Sequence, residues 1–240
     1  MKVGINEVKD ILLGETPIVK VYRGEDVIWE RSGLPSGYTR VQYLEADGRN
    51  QYIDTGITPS NGYGFYVDCM PLTRVATDAA SAKIFGSSYL NAGYWGGVVL
   101  GTYPTFPTGQ FTWFRYGQRI EHMYEPGFES YTRVQMENKN NHFTSSTGKD
   151  YDTPYISNSF IHGSLWLFRI HSDVVVTSAG VRIYNFKAYN NNDTVQNFIP
   201  CLDQNNTPCF YDTVTGNSYY NQGTGQFGYE TMDGTVVNPT

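Results

Sequence analysis

The densest run of side chains able to hold a ligand falls between residues 89 and 113. Tyr89, Tyr94, Trp95, Tyr103, Phe106 and Trp113 are interleaved with Gly93, Gly96, Gly97 and Gly101. Aromatic faces stack on the apolar side of a sugar ring, and bare glycine backbone lets a ligand come close. Tyr94, Trp95, Tyr103 and Trp113 are therefore candidate glycan-binding residues. Asp150-Tyr151-Asp152-Thr153-Pro154-Tyr155 is a second candidate, in which Tyr151 and Tyr155 offer the stacking faces. The competing reading of the first run is packing within a tyrosine-rich core. That of the second is a solvated loop or a subunit contact.

Catalytic chemistry finds less support. The four histidines, His122, His142, His162 and His171, lie in no nucleophile motif. His122 and His142 fall in strand-like runs, where a sheet-face position accounts for them. Cys69, Cys201 and Cys209 are an odd, small set, which argues against a disulfide framework. Cys201 and Cys209 are too far apart for a CxxC motif and have no histidine beside them, so a zinc site is not expected. All three read as small buried hydrophobes. Asp54, Asp78, Asp150, Asp152 and Asp203 sit in or near turns but form no EF-hand string.

The elements that would carry these residues are strands. Of 240 residues, 17% are charged and 15% aromatic, with 20 Tyr, 25 Gly and 11 Pro. A Tyr-, Thr-, Asn- and Gly-rich chain with few charges is all-β with many turns, and its aromatics can close a core. Short alternating runs recur between Gly, Pro, Asn and Asp, in numbers that fit a two-sheet sandwich rather than a small barrel. Asn190-Asn191-Asn192-Asp193 is a hairpin turn. Pro71–Ser81 and Lys149–His162 are the long loops, where binding residues concentrate.

The net charge of −6, with no Lys/Arg run, argues against nucleic acid. No apolar stretch approaches the roughly 18 residues of a membrane span. The opening MKVGINEVKD lacks the apolar core of a secretory signal.

Residues 1–31 differ from the rest. Lys2–Leu13 fits a strand or one short helix. From Pro17, the run Ile18–Arg23 alternates, Gly24-Glu25-Asp26 turns, and Val27-Ile28-Trp29 returns. This is a β-hairpin, marginal alone in water, so it must dock on something. Ile18, Val21, Tyr22 and Trp29 are its candidate attachment residues. Arg31–Gly37 is a turn-rich hinge, 34–229 is the body, and 230–240 is a polar tail expected to fray.

Two stretches of the body carry a resemblance. Leu34-Pro35-Ser36-Gly37-Tyr38-Thr39-Arg40-Val41-Gln42-Tyr43-Leu44-Glu45, followed by Asn50-Gln51-Tyr52-Ile53-Asp54-Thr55-Gly56, resembles the opening of a concanavalin A-like (laminin-G-like) jelly-roll domain. This version is common in gut bacteria and their phages. Val181–Lys187, Asn197-Phe198-Ile199-Pro200-Cys201, Cys209–Gly216 and Asn221–Phe227 resemble its closing strands. The likeness spans about Leu34 to Phe227 and is strongest at its two ends. It implies that first and last strands meet, with Phe227 as a closing plug. The leading hairpin, Ile18 to Glu30, is similar to short modules that precede such domains in phage and prophage structural proteins.

The resemblance implies a non-enzymatic virion structural protein: an outward-facing decoration, fibre or adhesin of capsid or tail. Residues 1–31 would contact other virion proteins, and a homo-oligomer, favouring a trimer, would follow. A host-surface glycan is the implied ligand; no cofactor is expected, with one rim calcium ion as the alternative. A bacterial cell-surface carbohydrate-binding module is the alternative function. A glucanase-like hydrolase is disfavoured. Such enzymes place Glu, Asp and Glu at alternate positions on one strand to flank the bond. Glu45-Ala46-Asp47 offers two acids, and Arg49 stands where the third belongs. Asp47-Gly48 is also better explained as a turn.

Overall fold

The computed structural model describes residues 11–13, 16–18, 20–23, 26–30, 33–48, 50–60, 62–72, 83–91, 94–103, 109–115, 118–119, 123–128, 132–146, 148, 150–152, 163–171 and 180–240. Among them there is no helix, and so none long and apolar enough to cross a membrane. Two short hairpins come first: β1 (Ile11–Leu13) with β2 (Thr16–Ile18), and β3 (Lys20–Arg23) with β4 (Asp26–Glu30). The hairpin expected from Gly24-Glu25-Asp26 is present, pairing Val21 with Trp29 and Tyr22 with Val27. Ile18 is not part of it. It pairs with Ile11 in the first hairpin.

The body follows in chain order: β5 (Thr39–Asp47), β6 (Ile53–Asp54), β7 (Tyr63–Pro71), β8 (Lys83–Asn91), β9 (Tyr94–Tyr103), β10 (Gly109–Arg115), β11 (Gln118–Arg119) and β12 (Met123–Phe128). Then come β13 (Val134–Lys139), β14 (His142–Ser145), β15 (Asp150–Asp152), β16 (Trp166–Leu167), β17 (Ile170–His171), β18 (Gly180–Asn190), β19 (Asp193–Leu202), β20 (Pro208–Asp212), β21 (Ser218–Tyr220), β22 (Gly228–Thr231) and β23 (Val236–Val237). They form an 11-stranded sheet, with the path β15-β14-β13-β7-β18-β19-β5-β22-β23 and β20–β21 attached through β19. An 8-stranded sheet runs β11-β10-β9-β8-β16-β6, with β12 on β10 and β17 on β8.

The two sheets stack as an all-β sandwich, and phenyl rings fill the gap. Phe65 and Phe186 of the larger sheet meet Phe85 of the smaller, with centroids 6.0 and 5.5 Å away. Phe168 packs on Phe227 at 4.7 Å and on Phe210 at 6.1 Å. Phe168 has φ +66°, an unusual value for a bulky residue. It lies where the chain reverses between β16, antiparallel to β8, and β17, parallel to it. First and last strands do meet: Tyr229 of β22 pairs with Leu44 of β5, and Phe227 is buried. Asn191, at φ +55°, makes the expected asparagine turn between β18 and β19.

Two expectations are corrected. The segment 230–240 does not fray. Glu230 pairs with Val236, and Gln226 and Thr240 exchange two main-chain hydrogen bonds. Asp150–Asp152 is not loop but strand β15, with Tyr151 paired to Phe143. On β18, alternation counted back from Phe186 and Ala188 would put Tyr184 on the core face. A β-bulge between Ile183 and Asn185 shifts the register against β7. An inserted residue resets which face follows. So Val181, Ile183, Phe186 and Ala188 are buried in the core, while Tyr184 stays on the outer face with Arg182.

Candidate functional site

The outer face of the larger sheet is where described side chains gather into something other than packing. β7 sends Phe65, Val67 and Cys69 inward, so Tyr66 and Asp68 point outward. β13 and β18 follow the same rule and add Gln135, Glu137, Arg182 and Asn185. Asp68 is the anchor. Its carboxylate is 5% exposed and accepts hydrogen bonds from Arg133 Nε and Nη2, both at 2.7 Å, and from Gln135 Nε2 at 3.0 Å. The fork fixes the guanidinium plane. That plane lies 3.7 Å from the centroid of the Tyr184 ring, while half of the Arg133 side chain stays in solvent. The bond to Asp68 pushes the Arg133 pKa up, so the cation is permanent.

A second unit repeats the first. Arg182 Nε donates to Glu45 Oε2 at 2.6 Å, and the Arg182 guanidinium sits 4.3 Å from the Tyr43 ring. Tyr43 and Tyr184 meet edge to face at 5.3 Å, which joins the two units. Farther along the sheet, Lys187 lies 5.1 Å from the Tyr66 ring and Lys139 4.4 Å from Tyr189. Tyr189 donates its hydroxyl to Glu137 at 2.6 Å. The result is a stripe of four tyrosines, each covered by a cation, across β5, β18, β7 and β13. Burial pushes the Tyr43 and Tyr66 phenols up to about 12. Burial raises Tyr184 and Tyr189 in the same direction. All four hydroxyls therefore stay protonated at neutral pH, and the Tyr189 proton is already given to Glu137.

The smaller sheet carries a different aromatic group. Tyr52, Trp166 and His171 form one stack, with centroid spacings of 4.1 and 4.2 Å. His171 Nδ1 donates to the Ser164 carbonyl oxygen at 2.9 Å, which sets the tautomer. Gly163 is required beneath the ring, because a Cβ there would lie 2.7 Å from His171 Cε1. These three rings use their faces on one another.

The residues singled out from sequence are dispersed. Tyr94 and Trp95 begin β9 and pair with Asn91 and Leu90, whereas Tyr103 ends β9 opposite Gln110. Nine steps of about 3.3 Å separate Tyr94 from Tyr103, roughly 30 Å along one strand. They cannot line one monosaccharide site. Trp113 lies in β10 opposite Leu100. Tyr151 is in β15, on the far side of the larger sheet from β23, and Tyr155 lies outside the described residues. Val21, Tyr22 and Trp29 sit in the second N-terminal hairpin and Ile18 in the first.

The aspartates weighed for calcium have other partners. Asp54 accepts from the Gly56 N–H, and Asp203 from Asn205 N, Thr207 N and the Tyr220 hydroxyl. Asp150 and Asp152 flank His142, and Asp78 lies outside the described residues. Among the described residues no cluster of three or more His, Cys, Asp or Glu is arranged to hold a metal ion.

Sequence reasoning missed the tyrosine–guanidinium stripe. The one local signal was the alternation Val181-Arg182-Ile183-Tyr184, polar and aromatic against aliphatic. Compared with family models, with curated proteins and with solved structures, the chain has no match.

Proposed function

We propose that this chain is a non-catalytic binding domain of the concanavalin A-like jelly-roll kind. It is displayed on the surface of a bacteriophage virion as a capsid or tail decoration, fibre or adhesin. The tyrosine–guanidinium stripe of the larger sheet is the face offered to a host-surface glycan.

The observation that carries this reading is the Asp68–Arg133–Tyr184 unit joined to Glu45–Arg182–Tyr43. Tyr43 is buried and backs the Tyr184 ring, so Arg133 and Tyr184 offer guanidinium N–H donors, a ring edge and a protonated phenol, the group types that recognise sugar hydroxyls. Asp68 and Glu45 each accept hydrogen bonds from a guanidinium, and so form a fixed hydrogen-bonding frame. The pairing of β5 with β22 supports the jelly-roll assignment. The two-stranded hairpins at 11–30 support attachment through the N-terminal segment, since such pairs are marginal alone. Assembly as a homo-oligomer, a trimer in the favoured form, belongs to the same reading.

A glycan array probed with the full chain tests the binding face. Retention of host-surface glycans is expected, reduced about tenfold by Tyr184→Ala, the effect of losing one aromatic contact. An array with no retained glycan, or retention indifferent to Tyr184→Ala in a variant whose circular dichroism is unchanged, overturns the assignment of this face. Mass spectrometry of purified particles tests the location. Absence from particles and presence on cells would make the chain a bacterial carbohydrate-binding module instead.

A further inference from the structure

Away from the tyrosine stripe, the β19–β20 hairpin brings two thiols together. Cys201 and Cys209 are direct cross-strand partners, both fully buried, with Sγ atoms 3.6 Å apart. The remaining cysteine, Cys69, belongs to the phenyl-rich core between the sheets, and neither Cys201 nor Cys209 is part of that cluster. Antiparallel partners have Cα atoms about 4.5 or 5.5 Å apart, and both spacings lie within the roughly 4.4–6.8 Å that a disulfide spans. The turn between the strands is already fixed. Asp203 accepts hydrogen bonds from Asn205 N and Thr207 N, both under 3 Å, and the Asp203 N–H donates to the Thr207 carbonyl. The register that opposes the thiols is thus built by the loop, before any covalent bond exists.

We propose that Cys201 and Cys209 form an intrachain disulfide that staples the β19–β20 hairpin when the chain folds in the presence of a small-molecule disulfide such as oxidised glutathione. One cysteine thiolate attacks a glutathione sulfur, forming a mixed disulfide and releasing one glutathione thiolate. The second cysteine then attacks the protein-side sulfur, forming the Cys201–Cys209 bond and releasing the other glutathione. The two cysteine thiols lose two protons and two electrons, and the oxidant takes up both electrons as two thiols.

Burial decides when this happens. In the finished sandwich neither sulfur is exposed. The Cys201 contact, together with burial, pushes the Cys209 thiol well up, so thiolate is scarce there. Oxidation belongs to the folding chain, or to opening of β20 together with its three-residue neighbour β21, and not to the closed state.

The test is refolding of the full chain with oxidised glutathione, followed by intact mass and non-reducing peptide mapping. A loss of two hydrogen masses is expected, with Cys201 linked to Cys209 and Cys69 recovered as an alkylated free thiol. The bonded form melts several degrees higher than the same chain treated with dithiothreitol. Cys69→Ser retains both effects and the Cys201→Ser/Cys209→Ser double variant loses both. Three alkylatable thiols after refolding in oxidised glutathione overturn the proposal, as does a bond that includes Cys69. A Cys201–Cys209 bond that leaves the melting temperature unchanged or lower overturns the stapling role.

Discussion

The two faces of the larger sheet spend the same aromatic material differently. Inward, Phe65, Phe186, Phe198 and Phe210 meet one another and the rings of the smaller sheet, all fully buried. Outward, Tyr43, Tyr66, Tyr184 and Tyr189 lie under cations. The difference is one hydroxyl per ring. A phenyl ring asks only for area, whereas a phenol asks for a polar neighbour, as Tyr189 finds in Glu137. The inner face therefore holds the fold, and the outer face is free to be chemical.

Truncation gives the largest contrast. Phe186→Ala removes a ring that touches Phe65, Phe85 and Phe198, and should cost about 3–5 kcal/mol in urea unfolding. Tyr184→Ala, at the solvent side of the same strand, should cost about 1 kcal/mol. Equal losses would mean that the outer face also carries the fold.

Moving the hydroxyl sharpens the same comparison. Phe186→Tyr places a phenol in a site lined by Phe65, Phe85 and Phe198, and an unmet hydroxyl there should cost about 1–3 kcal/mol. Tyr184→Phe removes one from the outer face, and stability should hold within about 0.5 kcal/mol. Its effect belongs in glycan retention on the array. If Tyr184→Phe destabilises as much as Phe186→Tyr, the division between faces fails.

Asp68 lies between these extremes, since it is buried yet belongs to the outer face. Asp68→Ala strands Arg133, but half of that side chain already meets water and can be rehydrated. A loss of about 1–2 kcal/mol is expected, below the roughly 3–5 kcal/mol of a fully buried pair. Arg133 would also lose its fixed plane over Tyr184, so glycan retention should fall together with stability. Unchanged retention in Asp68→Ala would separate the guanidinium from the binding surface.

The inner face was largely legible in the sequence and the outer face was not. Alternation, glycine punctuation and the asparagine turn are local signals, and they carried the all-β reading and the β18–β19 turn, whereas the closing Phe227 was implied by the family resemblance. The polar stripe depends on pairs that have no local signature. Arg133 reaches Asp68 across 65 residues, and Arg182 reaches Glu45 across 137. It also depends on the bulge between Ile183 and Asn185, which leaves Tyr184 on the Arg182 face while Phe186 turns inward. The final segment was misjudged for a different reason. Asp233-Gly234 between Thr231-Met232 and Thr235-Val236-Val237 is itself a hairpin signal, outweighed in the reading by polar composition. The aromatic density at 89–113 was visible, but a strand spreads such a cluster over its whole length.

The smallest effect is expected where the sheet ends, at His142, and it tests whether charge pairing matters once burial is removed. His142 Nδ1 lies 2.9 Å from Asp152, and Nε2 lies 2.9 Å from Asp150, across the β14–β15 pair. Both ring nitrogens face carboxylates, so both must donate, and the ring is an imidazolium. The hydrogen bond to Asp152, aided by the charge of Asp150, raises its pKa above the ordinary histidine value. A raised folded-state pKa stabilises the native state fully below about pH 6.5, the unfolded value. That contribution is lost as pH rises through the folded pKa. In an NMR titration His142 should therefore titrate above about 6.5. Amide protection in β15 should decline over the same interval, while β18, in the middle of the sheet, is unaffected. Asp152→Asn should return the histidine toward its ordinary value and flatten the β15 profile. High salt should do part of the same, because all three side chains are in solvent and screening reaches them. The Asp68–Arg133 fork, whose carboxylate is buried, should keep its pairing in that salt. If β15 protection is indifferent to pH, the imidazolium adds nothing to the edge. Polar pairs on this sheet would then matter only where burial holds them, as at Asp68.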